Sequence, residues 1–544
     1  MTVAYLTLSR LQDADDFGST PGAGNDGYAL TWDNGAGEFV LAAANPDYSN
    51  VIVVDAGGNG NYETLSAAID AITAASESNR YKVLVFGDID ETETIIAKSH
   101  VDVIGTNNTI TITSTGSGHG LLLDSVTDCR WEKLTVVRAG VVTSPSVSAI
   151  MIDGSCDSTV VLGNVTGKNI TTPDTSQDHL TGFVVQGTAT PTLINCEGIG
   201  SNAAYYGHGM WWREGAGGVA RNCVGRGGAN GSAINNWGIY IVANANPLLI
   251  DCAGYGSNSG NNCHGTMIRG AATPTLVNLY SRGGDGGTGC HGLQIDDAAL
   301  PVFIGGTIHG GIYSGGSSHC IVINNLAAPQ MYSLTALPRQ FSDEVTIAAT
   351  TSFSLVDSVS HQIKAVSMQV DVAGTGGATI AIGTTPGGSE IVAATAITST
   401  GVLYPALVDA GAEPQLAAGA TIYVTITGTG TPSVRVWFGG EYAPPSCYGA
   451  LLGGSGAFRA DGCRFIGNCY SSYGMVVGTN TRTANVMRVT RCHIEARRKK
   501  TGSGAAIYTS AAYANAPLYQ CTIAGAATNI TAAAGVANGT NVVI

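Results

Sequence analysis

Short alternating apolar runs recur along the middle of the chain at a nearly constant interval. His208-Gly209-Met210-Trp211-Trp212 aligns with Trp237-Gly238-Ile239-Tyr240-Ile241, His264-Gly265-Thr266-Met267-Ile268 and His291-Gly292-Leu293-Gln294-Ile295. An earlier copy is Gly182-Phe183-Val184-Val185, and a later one is His319-Cys320-Ile321-Val322-Ile323. The anchors 182, 209, 238, 265, 292 and 320 are 27, 29, 27, 27 and 28 residues apart. Nine residues after five of the six anchors stands a proline (Pro191, Pro247, Pro274, Pro301, Pro329), and Gly218 takes the sixth place. Asn195, Asn222, Asp251 and Asn278 fall thirteen residues on, with Cys196, Cys223 and Cys252 directly after the first three.

Offsets this regular mean that equivalent residues stack. A coil of about 27 residues holds three short strands and three bends, and successive coils hydrogen-bond about 4.8 Å apart. The Asn column fits a bend with left-handed backbone, its amides bonding along the stack. The Cys column beside it is expected to point inward as small apolar filler. A second thiol column, Cys263, Cys290 and Cys447, lies two residues before the anchor. Both are read as stacked free thiols rather than disulfides or metal ligands.

Upstream, Val51-Ile52-Val53-Val54-Asp55 and a Gly-rich turn lead into a segment where Leu65, Ala68, Ile69 and Ile72 share one helical face. Together with the ladders, this resembles the right-handed parallel β-helix of the pectin-lyase-like superfamily, over roughly 50–340 and again from near 446. The resemblance implies that the short helix caps the first coil and protects an open sheet edge. Many activities share this fold, so it does not by itself name a function.

After Pro329 the repeat stops. Between about Phe341 and Ala443 lie separate amphipathic runs, Ile363–Val370, Thr379–Ile382 and Thr421–Ile426 among them, which suggest a small β-sandwich. It reads as an insertion, because the repeat returns at Cys447-Tyr448-Gly449-Ala450 and Cys463 restores the fourteen-residue offset. A further coil starts at Tyr473-Gly474-Met475, and the chain ends in Ala/Gly/Asn-rich sequence around Pro517 and Cys521. The first 48 residues differ again. Leu11-Gln12-Asp13-Ala14-Asp15-Asp16, then Gly27-Tyr28-Ala29-Leu30-Thr31-Trp32-Asp33 and Gly37-Glu38-Phe39-Val40, resemble a module of bacteriophage tail fibres that sits at the virion-attachment end. The expected fold class is therefore all-β: a right-handed parallel β-helix with an inserted small β-sandwich and a short N-terminal fibre-type module. The expected divisions are 1–48, 49–340, 341–443 and 444–544.

Composition narrows the partners. With 75 glycines, 44% hydrophobic and only 12% charged residues, the chain is ordered and rich in turns rather than disordered. A net charge of −14 argues against phosphate backbones, so nucleic acid is not expected as a partner. The one basic run, Arg497-Arg498-Lys499-Lys500, reads as a solvated loop. No stretch reaches the ~18 apolar residues of a membrane span. Met1–Tyr5 does not open a signal peptide, so any exit from the cell is expected by another route.

Candidate chemistry lies on the strand that follows each anchor. Residues one and three on should point inward and residues two and four on outward. The two-on column reads Val184, Trp211, Tyr240, Met267, Gln294, Val322, and the four-on column includes Asp153, Gln186, Arg213, Val242, Arg269, Asp296 and Asn324. Aromatic faces stack on sugar rings while carboxylates and amides bond hydroxyls. Trp211, Arg213, Tyr240, Arg269, Gln294 and Asp296 are therefore candidates for carbohydrate binding, or for the lateral interface of a homotrimer. Glycoside hydrolysis needs two carboxyls about 5–9.5 Å apart. Glu214 and Asp297 share a column three coils apart, roughly 14 Å, and Asp296 and Asp297 point oppositely if the strand continues. These three remain weak catalytic candidates beside a plain structural reading. His208, His264, His291 and His319 form a column one before the anchor, where Trp237 and later Tyr448 and Tyr473 substitute, which suits ring stacking better than metal binding. No metal and no cofactor are expected.

The combined expectation is a virion component of a tailed bacteriophage: a homotrimeric tailspike or tail fibre, made in the bacterial cytoplasm. It is expected to contact other phage tail or particle proteins through residues 1–48 and to bind a host surface polysaccharide without entering the membrane. The alternatives are a glycan depolymerase acting on capsule or lipopolysaccharide, and a non-viral β-helical adhesin.

Overall fold

The computed structural model describes residues 28–33, 38–43 and 50–543, apart from 108–109, 143–145, 174–178, 202–205, 229–234, 258–260, 286–288, 312–318, 338–339, 348, 355–359, 409–414, 417–419, 444–447, 454–456, 470–472, 478–486, 499–504, 510–517, 520, 525–527 and 533–541. The periodic part is a parallel β-helix. One face is a 13-stranded parallel sheet running from Ile95–Ile96 to Thr528–Ala532. Its middle strands are Met210–Trp212, Ile239–Ile241, Thr266–Ile268, Leu293–Ile295 and Ile321–Ile323. In register, Trp211 sits beside Tyr240, then Met267, Gln294 and Val322. Two further faces follow in each coil. They merge where one long strand runs round the bend, as in Thr275–Arg282 and Val302–His309.

The repeat residues explain the coil. A methyl group on Gly209 would meet the backbone nitrogen of Arg226 at 2.2 Å, and one on Gly225 would meet the carbonyl oxygen of Gly238 at 2.2 Å. Backbones therefore approach across the coil interior where only glycine fits. Inward side chains such as Met210, Ile239, Ile241, Leu293 and Ile295 are fully buried. Each proline opens the next strand without needing a donor of its own, and its carbonyl accepts the N–H one coil on: Thr275 on Pro247, Val302 on Pro274, Gln330 on Pro301. The Asn column has the expected left-handed backbone, with φ of 53° at Asn195 and Asp251, 51° at Asn222 and 52° at Asn278. Its amides bond along the stack, Asn195 Nδ2 to Asn164 Oδ1 and Asn278 Nδ2 to Asp251 Oδ1, both 3.1 Å. Cys196, Cys223 and Cys252 are buried free thiols, and Cys463, Cys492 and Cys521 are buried in the later coils. Cys263 and Cys290 are also free and buried, while Cys447 lies outside the described residues.

The first coil is closed by helix α1, Leu65–Ala71, whose Leu65, Ala68 and Ile69 are buried. A carboxylate and an ammonium complete its two ends. Glu91 accepts the Leu65 N–H (2.5 Å), the Ser66 N–H (3.2 Å) and the Ser66 hydroxyl (2.6 Å). Lys98 Nζ donates to the carbonyls of Ile69 and Ile72, both at 2.8 Å. Both charges complement the helix dipole.

Between the coil strands ending at Leu337 and starting at Tyr448, the chain leaves the helix and builds two antiparallel sheets of five and four strands. Their facing sides bury Ile363, Met368, Ile380, Ile382, Val424 and Phe438 in a core of their own. The helix then resumes in register, Ile321 beside Ala450 and Gln330 beside Arg459. At the other end, Tyr28–Asp33 and Glu38–Ala43 form an antiparallel hairpin, and Leu11–Asp16 lies outside the described residues. The basic run is corrected: Arg497 and Arg498 end the strand His493–Arg498, paired with Asn468 and Cys469, because the ladder extends the strand to that point. Lys499 and Lys500 lie outside the described residues.

Candidate functional site

The outward side of the 13-stranded sheet carries the candidate residues, but its aromatic column is not exposed as the alternation alone implies. Trp211 and Tyr240 are only 6% and 7% exposed within a single chain, and Met267 3%. They pack with Met151, Val184 and Trp237 as an apolar cluster outside the coil interior. The cover comes from rings one column over. Trp237 meets Tyr240 edge-on at 4.4 Å, His208 meets Trp211 at 5.6 Å, and the Arg213 guanidinium lies 4.4 Å above the Trp211 ring. Trp211 and Tyr240 themselves stack at 5.5 Å. Such aromatic pairs contribute about 0.5–1.5 kcal/mol each beyond burial.

The ring column is a stack that climbs the helix. His208 lies parallel to Trp237 at 4.7 Å, His264 to His291 at 5.1 Å, His291 to His319 at 5.2 Å and His319 to Tyr448 at 4.3 Å. Each of the last three imidazoles uses Nδ1 to accept the backbone N–H of the next ring's residue: His264 from His291, His291 from His319, and His319 from Tyr448. A ring nitrogen that accepts carries no proton, so these imidazoles are neutral and protonated on Nε2. Burial agrees. It pushes His264 and His319 well below the usual histidine range, with His291 adding repulsion to both, and pushes His291 itself down to about 3. Among the described residues no group of three His, Cys, Asp or Glu is arranged to hold a metal ion.

Beside the stack lies a groove of about 390 Å³. Its floor is Trp237, Tyr240 and Met267, its polar rim is Arg269, Gln294 and Asp296, and Asn235 and Asn262 close the opposite side. Tyr240, Arg269, Gln294 and Asp296 thus come together at one groove, whereas Trp211 and Arg213 flank it one coil away. Asn235 and Asn262 escape the sequence reading, their signal being position three residues before the anchor, and Trp237, read there as a stacking ring, now joins the groove. His208 also lines the groove. It is fully buried, and among the described residues neither of its ring nitrogens has a hydrogen-bond partner. Burial, followed by repulsion from His179, holds it well below the usual histidine range.

The catalytic candidates do not assemble. Glu214 and Asp297 occupy left-handed turn positions, both at φ 58°, with Ala243 and Gly270 stacked between them. Glu214 pairs with its neighbour Arg213 at 3.5 Å. The strand ends at Ile295, so Asp296 and Asp297 do not alternate as strand residues; each is drawn into its own turn network. Asp296 accepts from Gln294 and Asn324, both at 2.8 Å. Asp297 accepts from Arg269 and the Gly270 N–H at 3.3 Å and from Asn325 at 3.2 Å. Carboxylates held this way brace the turns between coils.

The solved structures that the chain is similar to include bacteriophage tailspikes. The tailspike protein 2 enzymatically active domain of bacteriophage CBA120 is 9% identical, with a TM-score of 0.38 over 76% of this chain and 79% of that one. The tailspike of Acinetobacter phage vB_ApiP_P1 is 10% identical, with a TM-score of 0.26 over 72% and 87%. The tailspike of Acinetobacter baumannii bacteriophage Fri1, a capsular polysaccharide depolymerase, is 10% identical, with a TM-score of 0.22 over 76% and 90%. No protein-family model and no curated protein matches the sequence.

Proposed function

We propose that this chain is a tailspike or tail fibre of a tailed bacteriophage that binds a host surface glycan in the groove beside the ring stack. The observation that carries the reading is the groove itself: an aromatic and thioether floor ringed by a guanidinium, a carboxylate and amides. The guanidinium, carboxylate and amides of the rim match sugar hydroxyls, and the covered aromatic floor holds them in place. Residues 1–48, which resemble a fibre attachment module, join the particle, and the β-helix holds the groove on a rigid shaft.

Three copies assemble the working particle in this reading. The aromatic column, one candidate for the seam, is already covered within one chain, so the seam falls on the sheet that begins after each proline. There, in three successive coils, the outward residues Leu248, Ile250, Thr275, Val277, Val302 and Ile304 stack between Arg221 and Gln330 without a charge, and Ile304 is 47% exposed. A largely apolar, uncharged face of this kind marks an interaction surface.

The test uses the full chain and surface polysaccharide purified from candidate hosts. Wild type binds one of them, and Arg269→Gln and Asn262→Ala each weaken binding at least about tenfold with unchanged thermal melting. Equal binding by wild type and both variants overturns the groove as the site. New reducing or unsaturated ends in the polysaccharide move the reading to a depolymerase. Sedimentation equilibrium is expected to give three times the 55.3 kDa chain mass, falling toward 55.3 kDa in Ile304→Arg. A monomeric wild type overturns the trimer.

A further inference from the structure

We propose a second, anion-binding site where the inserted sandwich is spliced into the helix, built by Arg459 and Arg488. These two arginines are register partners in neighbouring strands and point outward in one column. Parallel strands place them about 4.8 Å apart, and like charges directly opposite repel. Elsewhere on the helix, outward arginines hold carboxylates: Arg226 with Glu197 at 2.6 Å, Arg269 with Asp297 at 3.3 Å, Arg491 with Asp461 at 2.5 Å. Among the described residues Arg459 meets the face of Tyr332, 5.6 Å away, and neither it nor Arg488 has a carboxylate partner. Asp461 is held below the usual carboxylate range chiefly by its bond to Arg491, with the charges of Arg459 and Arg488 adding to it, and its two oxygens are already taken by Nε and Nη2 of Arg491.

The pair does not stand on open surface. It borders a groove of about 400 Å³ whose remaining walls are Leu300, Ala328, Pro329, Gln330, Ala457 and Phe458. This groove lies between the coil before the insertion and the coil after it, which Arg459 N–H joins by donating to the Pro329 carbonyl at 3.2 Å. Two guanidiniums without a carboxylate partner among the described residues, one amide and an apolar wall form a receptor for an oxyanion carried on a small body: a phosphate, or the carboxylate of a sugar acid. In a chain of net charge −14, a local excess of two positive charges is balanced by that ligand. The proposal does not depend on the glycan reading of the first groove.

Isothermal titration of the full chain at low ionic strength, with inorganic phosphate and with glucuronate, tests it. At least one ligand binds wild type, and Arg459→Gln and Arg488→Gln each weaken it about tenfold or more. Arg435→Gln, in the sandwich and paired with Asp371 at 2.8 Å, leaves binding unchanged. Binding of phosphate alone assigns a phosphoryl ligand; binding of glucuronate alone assigns a sugar carboxylate. Should either arginine variant fail to fold, Leu300→Glu adds a carboxylate at the rim without touching the pair, and it abolishes binding. Absence of binding to wild type, or equal binding by wild type and the variants, overturns the site.

Discussion

The imidazole of His319 lies 4.3 Å from the ring of Tyr448, the planes only 10° apart, and its Nδ1 accepts the Tyr448 backbone N–H at 3.2 Å. These residues are 129 positions apart, with the whole inserted sandwich between them. The contact shows how the insertion is tolerated. The helix closes over the gap with the same hydrogen bond and the same ring stack that join its uninterrupted coils. Splicing at a bend leaves every strand ladder intact, so the insertion costs the stack little.

Replacing His319 by Phe keeps a stacking ring but removes the acceptor. The Tyr448 N–H then lies against hydrocarbon, and an unsatisfied buried donor costs about 1–3 kcal/mol. The expected result is a lower urea midpoint for the helix with the sandwich still folded, read by near-UV circular dichroism and by exchange of the Tyr448 amide. An unchanged midpoint argues that the bond contributes nothing.

Acid should weaken the fold through the same column. In the folded state His264, His291 and His319 are held well below the ordinary value of 6.5, His291 at about 3, while in the unfolded chain they titrate near 6.5. His119 behaves likewise at about 4, through burial and then the charges of Arg138 and Arg213. The unfolded state therefore binds protons first. This stability is complete above about pH 6.5 and is lost as pH falls toward 3–4, at up to ~1.4 kcal/mol per pH unit for each histidine. Urea midpoints measured from pH 7 down to 4 test this, and His291→Gln should flatten the slope. Identical slopes for wild type and variant contradict the assignment.

The Asn column separates backbone strain from side-chain bonding. Asn278 has φ 52° and donates to Asp251 at 3.1 Å. Asn278→Ala puts a β-carbon in left-handed backbone without the local bonding that lets Asn tolerate it, a loss of about 1–2 kcal/mol. Asn278→Gly relieves the strain and loses only the exposed bond, so its midpoint should lie between those of Ala and wild type. A glycine variant less stable than the alanine variant refutes the strain account.

The coil length, the Asn, Cys and Pro columns, the capping helix and the site of the insertion were all legible in the sequence. The columns depend on one residue type meeting its equivalent one coil on, so the spacing of Asn195, Asn222 and Asp251 states the contact directly; the insertion showed as a break in that spacing, and the cap was what the resemblance implied. Periodicity also placed Trp211, Tyr240, Gln294 and Asp296 on the outward side of one sheet. It also carried a column that escaped notice: Ala189, Ala216, Ala245, Ala272, Ala299 and Ala327, seven residues after each anchor and all completely buried at the bend.

What tertiary structure alone decided is which outward residues are covered and which meet. Whether Trp211 faces water depends on His208, Trp237 and Arg213, and the angle of those rings is set by packing between coils rather than by position within one. The partners of Asp296 and Asp297 likewise follow from the strand ending at Ile295, where a left-handed turn sends adjacent carboxylates to different neighbours. A one-dimensional repeat encodes contacts between equivalent residues because they share an offset. Contacts between different columns depend on side-chain direction and on the curvature of the coil, and neither is written in the spacing.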